Sequence, residues 1–252
     1  MSRQKLGQHF LVRGAVLERI ARAACGEHAP LVVEIGPGRG ALTGKLLARA
    51  SRVVAVEVDP YLAGKLRQKY AGDPRLEIVH ADVLRTDLGQ WGPAVVAGNL
   101  PYYITSPILE RVLGLGGLLR RAVLLIQKEV AARLVAAPGD RDYGYLTVRT
   151  ALAAEARWLF DVKPAAFHPP PKVDSSVVRL DPCDRIGAWS IAGREAFLAF
   201  VGACFRQKRK TLRNNLAPVY GREVVESWPE AGLRAEQIAP AGFAQLFSRL
   251  RL

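Results

Sequence analysis

Cysteine is scarce and unpatterned: Cys25, Cys183 and Cys204 are odd in number, widely spaced and free of any C-x-x-C pair. That excludes a disulfide framework, offers no zinc-site spacing and fits a reducing compartment. Long apolar runs are missing too. The longest, such as 122–126, fall far short of the roughly 18 to 20 residues that span a bilayer, and Arg13, Glu18, Arg19 and Arg22 interrupt what a signal peptide would need as an apolar stretch. A cytoplasmic protein with no membrane partner is expected. Histidine is rare as well: His28 and His80 have no partner in sequence that suggests catalysis or a metal, His168 reads as an ordinary loop residue, and no metal is expected. Acidic residues are in deficit: 36 Lys and Arg stand against 23 Asp and Glu, a formal net charge of +13. Such an imbalance favours a polyanion, with nucleic acid first among the candidates.

What is present is an alternation. Short β-branched runs exchange with longer segments whose apolar residues recur three and four apart, such as Leu42, Leu46 and Leu47 or Val130, Leu134 and Val135. Strands are predicted at 31–35, 52–58, 76–80, 94–97, 122–127, 158–162 and 176–180. Seven strands separated mostly by helices indicate an α/β fold with a parallel sheet. The last two are joined by "KPAAFHPPPKVDS", too rich in proline for a helix and too short for a crossover, so they should pair antiparallel. After Leu180, "DPCDRIG" reads as a linker, and beyond it the spacing of Phe197, Phe200, Val201 and Cys204 is helical. Two domains follow, 1–181 and 187–252, the second small and all-helical.

Four strand ends carry polar chemistry. "VVEIGPGRGALT" places Glu34, Gly36, Gly38 and Gly40 where the first strand gives way to a helix, a turn that lets a ligand approach backbone. Glu57 closes "RVVAVEVD" 21 residues after Gly36, and its carboxylate can accept both hydrogen bonds of a ribose diol. Asp82 closes "LEIVHAD", where a carboxylate suits an exocyclic amine. "VVAGNLPYY" ends the fourth strand with Asn99, Leu100, Pro101 and Tyr102: a side-chain carbonyl, backbone carbonyls and a ring, which fit the amino group of a planar base. All four lie at carboxyl ends of strands, the edge where open α/β sheets bind ligands.

With "KLGQHFL" at 5–11, "FHPPPKVDS" at 167–175 and "FRQKRKTLRNNL" at 205–216, these motifs resemble the KsgA-type dimethyladenosine transferases of small-subunit ribosomal RNA across the whole chain. The resemblance implies a class I S-adenosylmethionine-dependent methyltransferase, a Rossmann-like, seven-stranded, mostly parallel sheet with one antiparallel strand. It implies that S-adenosyl-L-methionine is held by His9, Leu11, Gly36, Glu57, Asp82 and Asn99, and that Asn99, Leu100, Pro101 and Tyr102 carry the chemistry at adenine N6. His9 departs from the pattern, standing where many relatives carry asparagine. Only four residues precede Lys5, so no RNA-binding arm is expected ahead of the motif.

Tyr102 and Phe167 are candidates for clamping a flipped base. Arg206, Lys208, Arg209, Lys210 and Arg213, read as a helix with 206, 209, 210 and 213 on one face, are candidates for RNA phosphates. Five such contacts on a single strand predict a log–log salt slope of roughly −3.5. The implied substrate is two adjacent adenosines near the 3′ end of small-subunit RNA in a partly assembled subunit, and the default state is a monomer. Two alternatives stand beside this: a large-subunit adenine-N6 methyltransferase, against which Leu100 and "FHPPPKVDS" argue, and a non-catalytic RNA- or DNA-binding assembly or transcription factor.

Overall fold

The computed structural model describes residues 8–250; Lys5, Leu6 and Gly7 of the N-terminal motif lie outside them. The chain forms two compact units, one of residues up to Ala131 with Ala156–Pro182, the other of Ala132–Glu155 with Cys183–Leu252.

The first unit is built on strands β1 (Phe10–Leu11), β2 (Ala29–Ile35), β3 (Ala50–Glu57), β4 (Leu76–His80), β5 (Ala94–Asn99), β6 (Leu119–Gln127), β7 (Ala154–Val162, which enters this unit at Ala156), β8 (Phe167–His168) and β9 (Ser175–Pro182). Seven of these make one sheet in the order β4-β3-β2-β5-β6-β9-β7. Pairings β2/β3, β3/β4, β2/β5 and β5/β6 are parallel, and β9 runs antiparallel to β6. All seven predicted strands are present, each within a few residues of its expected position. Val32, Val33, Val53, Val54, Val96 and Val123 are all but inaccessible, as in a parallel sheet with both faces covered. Strand order reverses between β2 and β5, and such a reversal opens a crevice at the strands' carboxyl ends.

Helices α1 (Gly14–Cys25), α2 (Ala41–Leu47), α3 (Pro60–Lys69) and α4 (Thr105–Gly114) cover this sheet, and α5 (Lys128–Val135) follows β6. Leu17, Ile20, Ala21 and Ala24 give α1 one apolar stripe, and all four are buried. Leaving β3, the chain enters α3 at once because Asp59 caps it, accepting from Tyr61 N (2.8 Å) and Leu62 N (3.3 Å) ahead of Pro60 at the first helical position. A further two-stranded ribbon, β1 with β8, brings Phe10 opposite His168 and Leu11 opposite Phe167. No pattern in sequence announces strands two residues long.

The second unit comprises α6 (Tyr145–Ala153), α7 (Arg185–Ala188), α8 (Arg194–Cys204), α9 (Leu212–Tyr220), α10 (Arg222–Glu226) and α11 (Pro240–Ser248). Phe197, Phe200, Val201 and Cys204 form its buried stripe, as their spacing predicts. The expected partition needs correction at one place: residues 132–155 belong with the C-terminal helices, because Tyr143, Val148 and Leu152 are buried in that second core. A second correction concerns the basic run. Its first four members are not helical: α8 ends at Cys204, residues 205–210 form an irregular turn, and α9, which carries Arg213, begins only at Leu212. Among the described residues no helix is long and apolar enough to cross a membrane.

Candidate active site

A cavity of about 470 Å³ opens at the carboxyl ends of β2, β3, β4 and β5. Its lining includes His9, Leu11, Gly36, Glu57, Asp82, Asn99, Leu100, Pro101 and Tyr102, so these expected site residues meet at one place.

The glycine turn after β2 is shaped by contact as well as by backbone. Gly38 has φ +57°, and a Cβ there would stand 2.9 Å from the Phe10 ring. Arg39 lies over the other part of this junction, its guanidinium carbon 4.5 Å from the Phe10 ring centroid. β1 is thereby seated against the turn. At the end of β5, a Cβ on Gly98 would meet Ile35 O at 2.5 Å, so only glycine lets β5 and β2 stay in register there.

Glu57 is 3% exposed, and its carboxylate is tied down by backbone: Oε2 accepts from Gly38 N and Oε1 from Asp59 N, each at 3.0 Å. Burial raises its pKa above the usual carboxylate range, and the two backbone donors oppose that shift. Behind it, Glu34 is 1% exposed and accepts from Thr43 Oγ1 at 2.6 Å. Burial pushes the Glu34 carboxyl up to about 8. Asp82 is more open: Oδ1 accepts from Leu84 N (2.9 Å), while among the described residues Oδ2 has only the exposed Arg85 at 3.9 Å.

Asn99 is the last residue of β5, and its amide is oriented by the residue just ahead of β1. Nδ2 donates to the backbone carbonyl of His9 at 2.8 Å. Because a carbonyl can only accept, this bond fixes which end of the amide faces His9 and leaves Oδ1 directed elsewhere. Among the described residues nothing donates to Oδ1. The Pro101 carbonyl accepts from Ile104 N (3.2 Å) and Thr105 Oγ1 (3.1 Å), whereas the Leu100 carbonyl has no such donor among the described residues. Of the acceptors at this strand end, Asn99 Oδ1 and Leu100 O are thus the two left over.

Tyr102 shares a 2.5 Å hydrogen bond with Ser175 Oγ, and burial raises its phenol pKa. His9 stacks on it with ring centroids 5.8 Å apart and planes at 27°. The His9 ring also donates from Nδ1 to Pro169 O at 2.8 Å, the only direction open to that bond. The departure at position 9 therefore leaves the Asn99 contact intact, since that contact uses the backbone. Phe167 differs from expectation. It is 4% exposed, packs in the core with Leu11, Leu17 and Ala166, and does not line the cavity. Its place in β8 opposite Leu11 turns the ring inward.

Sequence reasoning passed over Ser175, although it closes the "FHPPPKVDS" motif, and over Phe10, inside "KLGQHFL". It also assigned nothing to Tyr103, which lines the cavity with 61% of its surface exposed.

A Rossmann-like sheet with carboxylates at the β3 and β4 ends and an oriented amide at the β5 end defines the class: an S-adenosylmethionine-dependent methyltransferase for an amino group on a base. The family model described as "Ribosomal RNA adenine dimethylase" matches residues 1–250. The chain belongs to that family, and its activity is S-adenosylmethionine-dependent methylation of adenine in ribosomal RNA.

Among its relatives, the ribosomal RNA small subunit methyltransferase A of Acidobacterium capsulatum is 41% identical, the match covering 98% of this chain and 90% of the relative. That of Bordetella avium is also 41% identical, covering 99% and 95%. Among solved structures, a dimethyladenosine transferase from Plasmodium falciparum matches with a TM-score of 0.80 and 26% identity over 94% of this chain and 96% of that one. The 23S rRNA methyltransferase ErmE gives 0.75 and 31% over 96% and 100%.

Proposed function

We propose that this enzyme dimethylates N6 of two adjacent adenosines near the 3′ end of small-subunit ribosomal RNA, acting as a cytoplasmic monomer on a partly assembled subunit. The observation that carries the chemistry is the Asn99 amide, turned by His9 O so that Oδ1 is left with Leu100 O as an unfilled acceptor pair beside the cavity. The names of the high-coverage relatives support the choice of subunit.

The residues present fit the donor. Glu57, held by two backbone N–H groups at the end of β3, would take the ribose hydroxyls; Asp82 Oδ2 would take the exocyclic amine of the donor's adenine; Gly36, Leu11 and the seated β1 would enclose the remainder. When bound, S-adenosylmethionine supplies an electrophilic methyl on sulfonium sulfur.

The protein's task lies with the nucleophile, because the adenine N6 lone pair is delocalised into the ring. Asn99 Oδ1 and Leu100 O would each accept one N6 hydrogen. That favours a tetrahedral nitrogen and stabilises the positive charge that grows on it. Tyr102, fixed by Ser175, would stack on the base, a contact worth roughly 1–3 kcal/mol. Neither acceptor titrates near neutrality, so neither serves as a general base: as the N–CH3 bond forms, the S–CH3 bond breaks to release S-adenosylhomocysteine, and the strongly acidic cationic N6 then gives its proton to water.

The first unit is the catalytic domain in this reading and the second an RNA-binding domain, with Arg206, Arg209, Lys210 and Arg213 as its phosphate contacts. The likeness to ErmE favours large-subunit RNA as a second reading; Leu100 and the "FHPPPKVDS" stretch speak for the first. Labelled methyl transfer decides between them. Small subunits from a strain lacking the modification should accept label as mono- and then dimethyladenosine, and large subunits should not; label in large subunits alone would overturn the proposal.

A further inference from the structure

The basic run is a turn with a buried fastener. Asn215, in α9 and only 3% exposed, reaches back to the end of α8. Its Nδ2 donates to the carbonyls of Cys204 (2.8 Å) and Gln207 (3.2 Å), and its Oδ1 accepts from Gln207 N (3.1 Å). One amide thus satisfies the Cys204 carbonyl that the end of α8 leaves open and binds both backbone groups of Gln207 in the turn beyond it. The turn is closed further by Lys210 N donating to Gln207 O (2.9 Å), and Thr211 caps α9 by accepting from Asn214 N at 3.4 Å.

Residues 206–210 are all exposed around this anchor. Lys208 differs from its neighbours: its ammonium donates to the Arg141 carbonyl and lies 4.0 Å from Glu236 Oε2. Among the described residues, no carboxylate comes within ion-pair distance of Arg206, Arg209 or Lys210. Three unneutralised cations held in one compact turn repel one another, and a free loop would spread them. Holding them together is unfavourable in the free protein and favourable only when an anionic chain lies across them, where a preformed shape also lowers the ordering cost of binding.

We infer that Asn215 is a positioning residue for RNA: it holds residues 205–210 so that Arg206, Arg209 and Lys210 form one preformed phosphate-binding surface, while Lys208 fastens that turn to the Arg141 loop. This rests on the reading of the basic run as the RNA face.

The test compares four full-length proteins: wild type, Asn215→Leu, the combined Arg206→Gln, Arg209→Gln and Lys210→Gln variant, and the two sets together. Each is measured for binding to unmodified small ribosomal subunits between about 50 and 200 mM salt, for KM and kcat of methyl transfer, and for S-adenosylmethionine affinity. The charge variant should bind on the order of tenfold more weakly and flatten the salt slope by about 2. Asn215→Leu should raise KM for the subunit and flatten the slope by a comparable amount, with kcat and donor affinity unchanged. Joining the two should add no further loss, because Asn215 acts only through those cations.

A charge variant that behaves as wild type would overturn the RNA-face reading and the inference with it. If the charge variant weakens binding but a folded Asn215→Leu keeps the wild-type slope, or the combined losses multiply, the inference fails and the RNA face stands. Should Asn215→Leu not fold, Asn215→Ser, small and still polar, breaks the same three bonds with less overpacking; a wild-type slope there overturns the inference equally.

Discussion

Two side chains show how one residue's chemistry is set by what surrounds it. Glu34 sits under the cavity with Thr43 as its hydrogen-bond donor, and burial keeps its carboxyl protonated up to about pH 8. In the unfolded chain it ionises in the ordinary carboxylate range, so between those limits the native state binds more protons than the unfolded one. The sign follows: stability falls as pH rises through that window. Thermal melts of the ligand-free protein between pH 5 and 9 should show that fall, and Glu34→Gln should flatten it, because a neutral amide keeps the Thr43 contact and has no proton to lose. Glu57, shifted the same way, would leave a smaller residual slope.

Asn99 gives the sharper kinetic prediction. Asn99→Ala removes an acceptor that acts as charge develops, a loss of about 10²–10³ in kcat for a single preorganised contact, while affinity for RNA stays nearly unchanged. Asn99→Asp should lose comparable activity, because a carboxylate cannot donate to His9 O and would repel it. Single-turnover methyl transfer with parallel RNA-binding measurements checks both.

At the scale of elements, the site depends on small contacts between segments that are distant in sequence. β1 is two residues long, yet it carries His9 O to Asn99, lays Phe10 on Gly38 and pairs with β8. Gly38→Ala should therefore act twice: the backbone is held at φ +57°, and the new methyl displaces Phe10. Weaker S-adenosylmethionine binding by titration calorimetry is the expected result, with a stability loss of about 1–2 kcal/mol from the backbone alone. Helix α1, by contrast, is held by bulk burial. Ile20→Ala leaves a cavity under the sheet and should cost about 2–5 kcal/mol in denaturant unfolding without altering KM for RNA.

For the whole molecule, a net charge of +13 sets how RNA is approached. Association should be steered and its rate should fall steeply with ionic strength. The five-cation reading gives a slope near −3.5; with Lys208 engaged by Arg141 O, the local turn supplies fewer contacts, and a slope measured on a short single strand should be shallower, roughly −2 to −3.

What could be read from the chain alone was whatever local pattern encodes. The short β-branched, continuously apolar runs in 52–58 or 94–97 mark strands buried on both faces, and an acidic residue or Asn-Leu-Pro-Tyr at a strand's end marks the cavity edge, since parallel strands bring all such ends to one side. Those signals survive without neighbours because backbone geometry alone produces them. Tertiary structure decided the rest. An amphipathic helix announces an apolar face but not which core receives it, so 145–153 went to the second unit. An aromatic beside prolines can face a cavity or a core, and β8's pairing with β1 turned Phe167 inward. A cationic run has helical spacing whether or not a helix forms, and only Asn215, eight residues past Gln207 and buried, made it a turn. In each case the deciding partner is remote or hidden, and a hydrogen bond or a packing contact across such a gap leaves no period in the sequence.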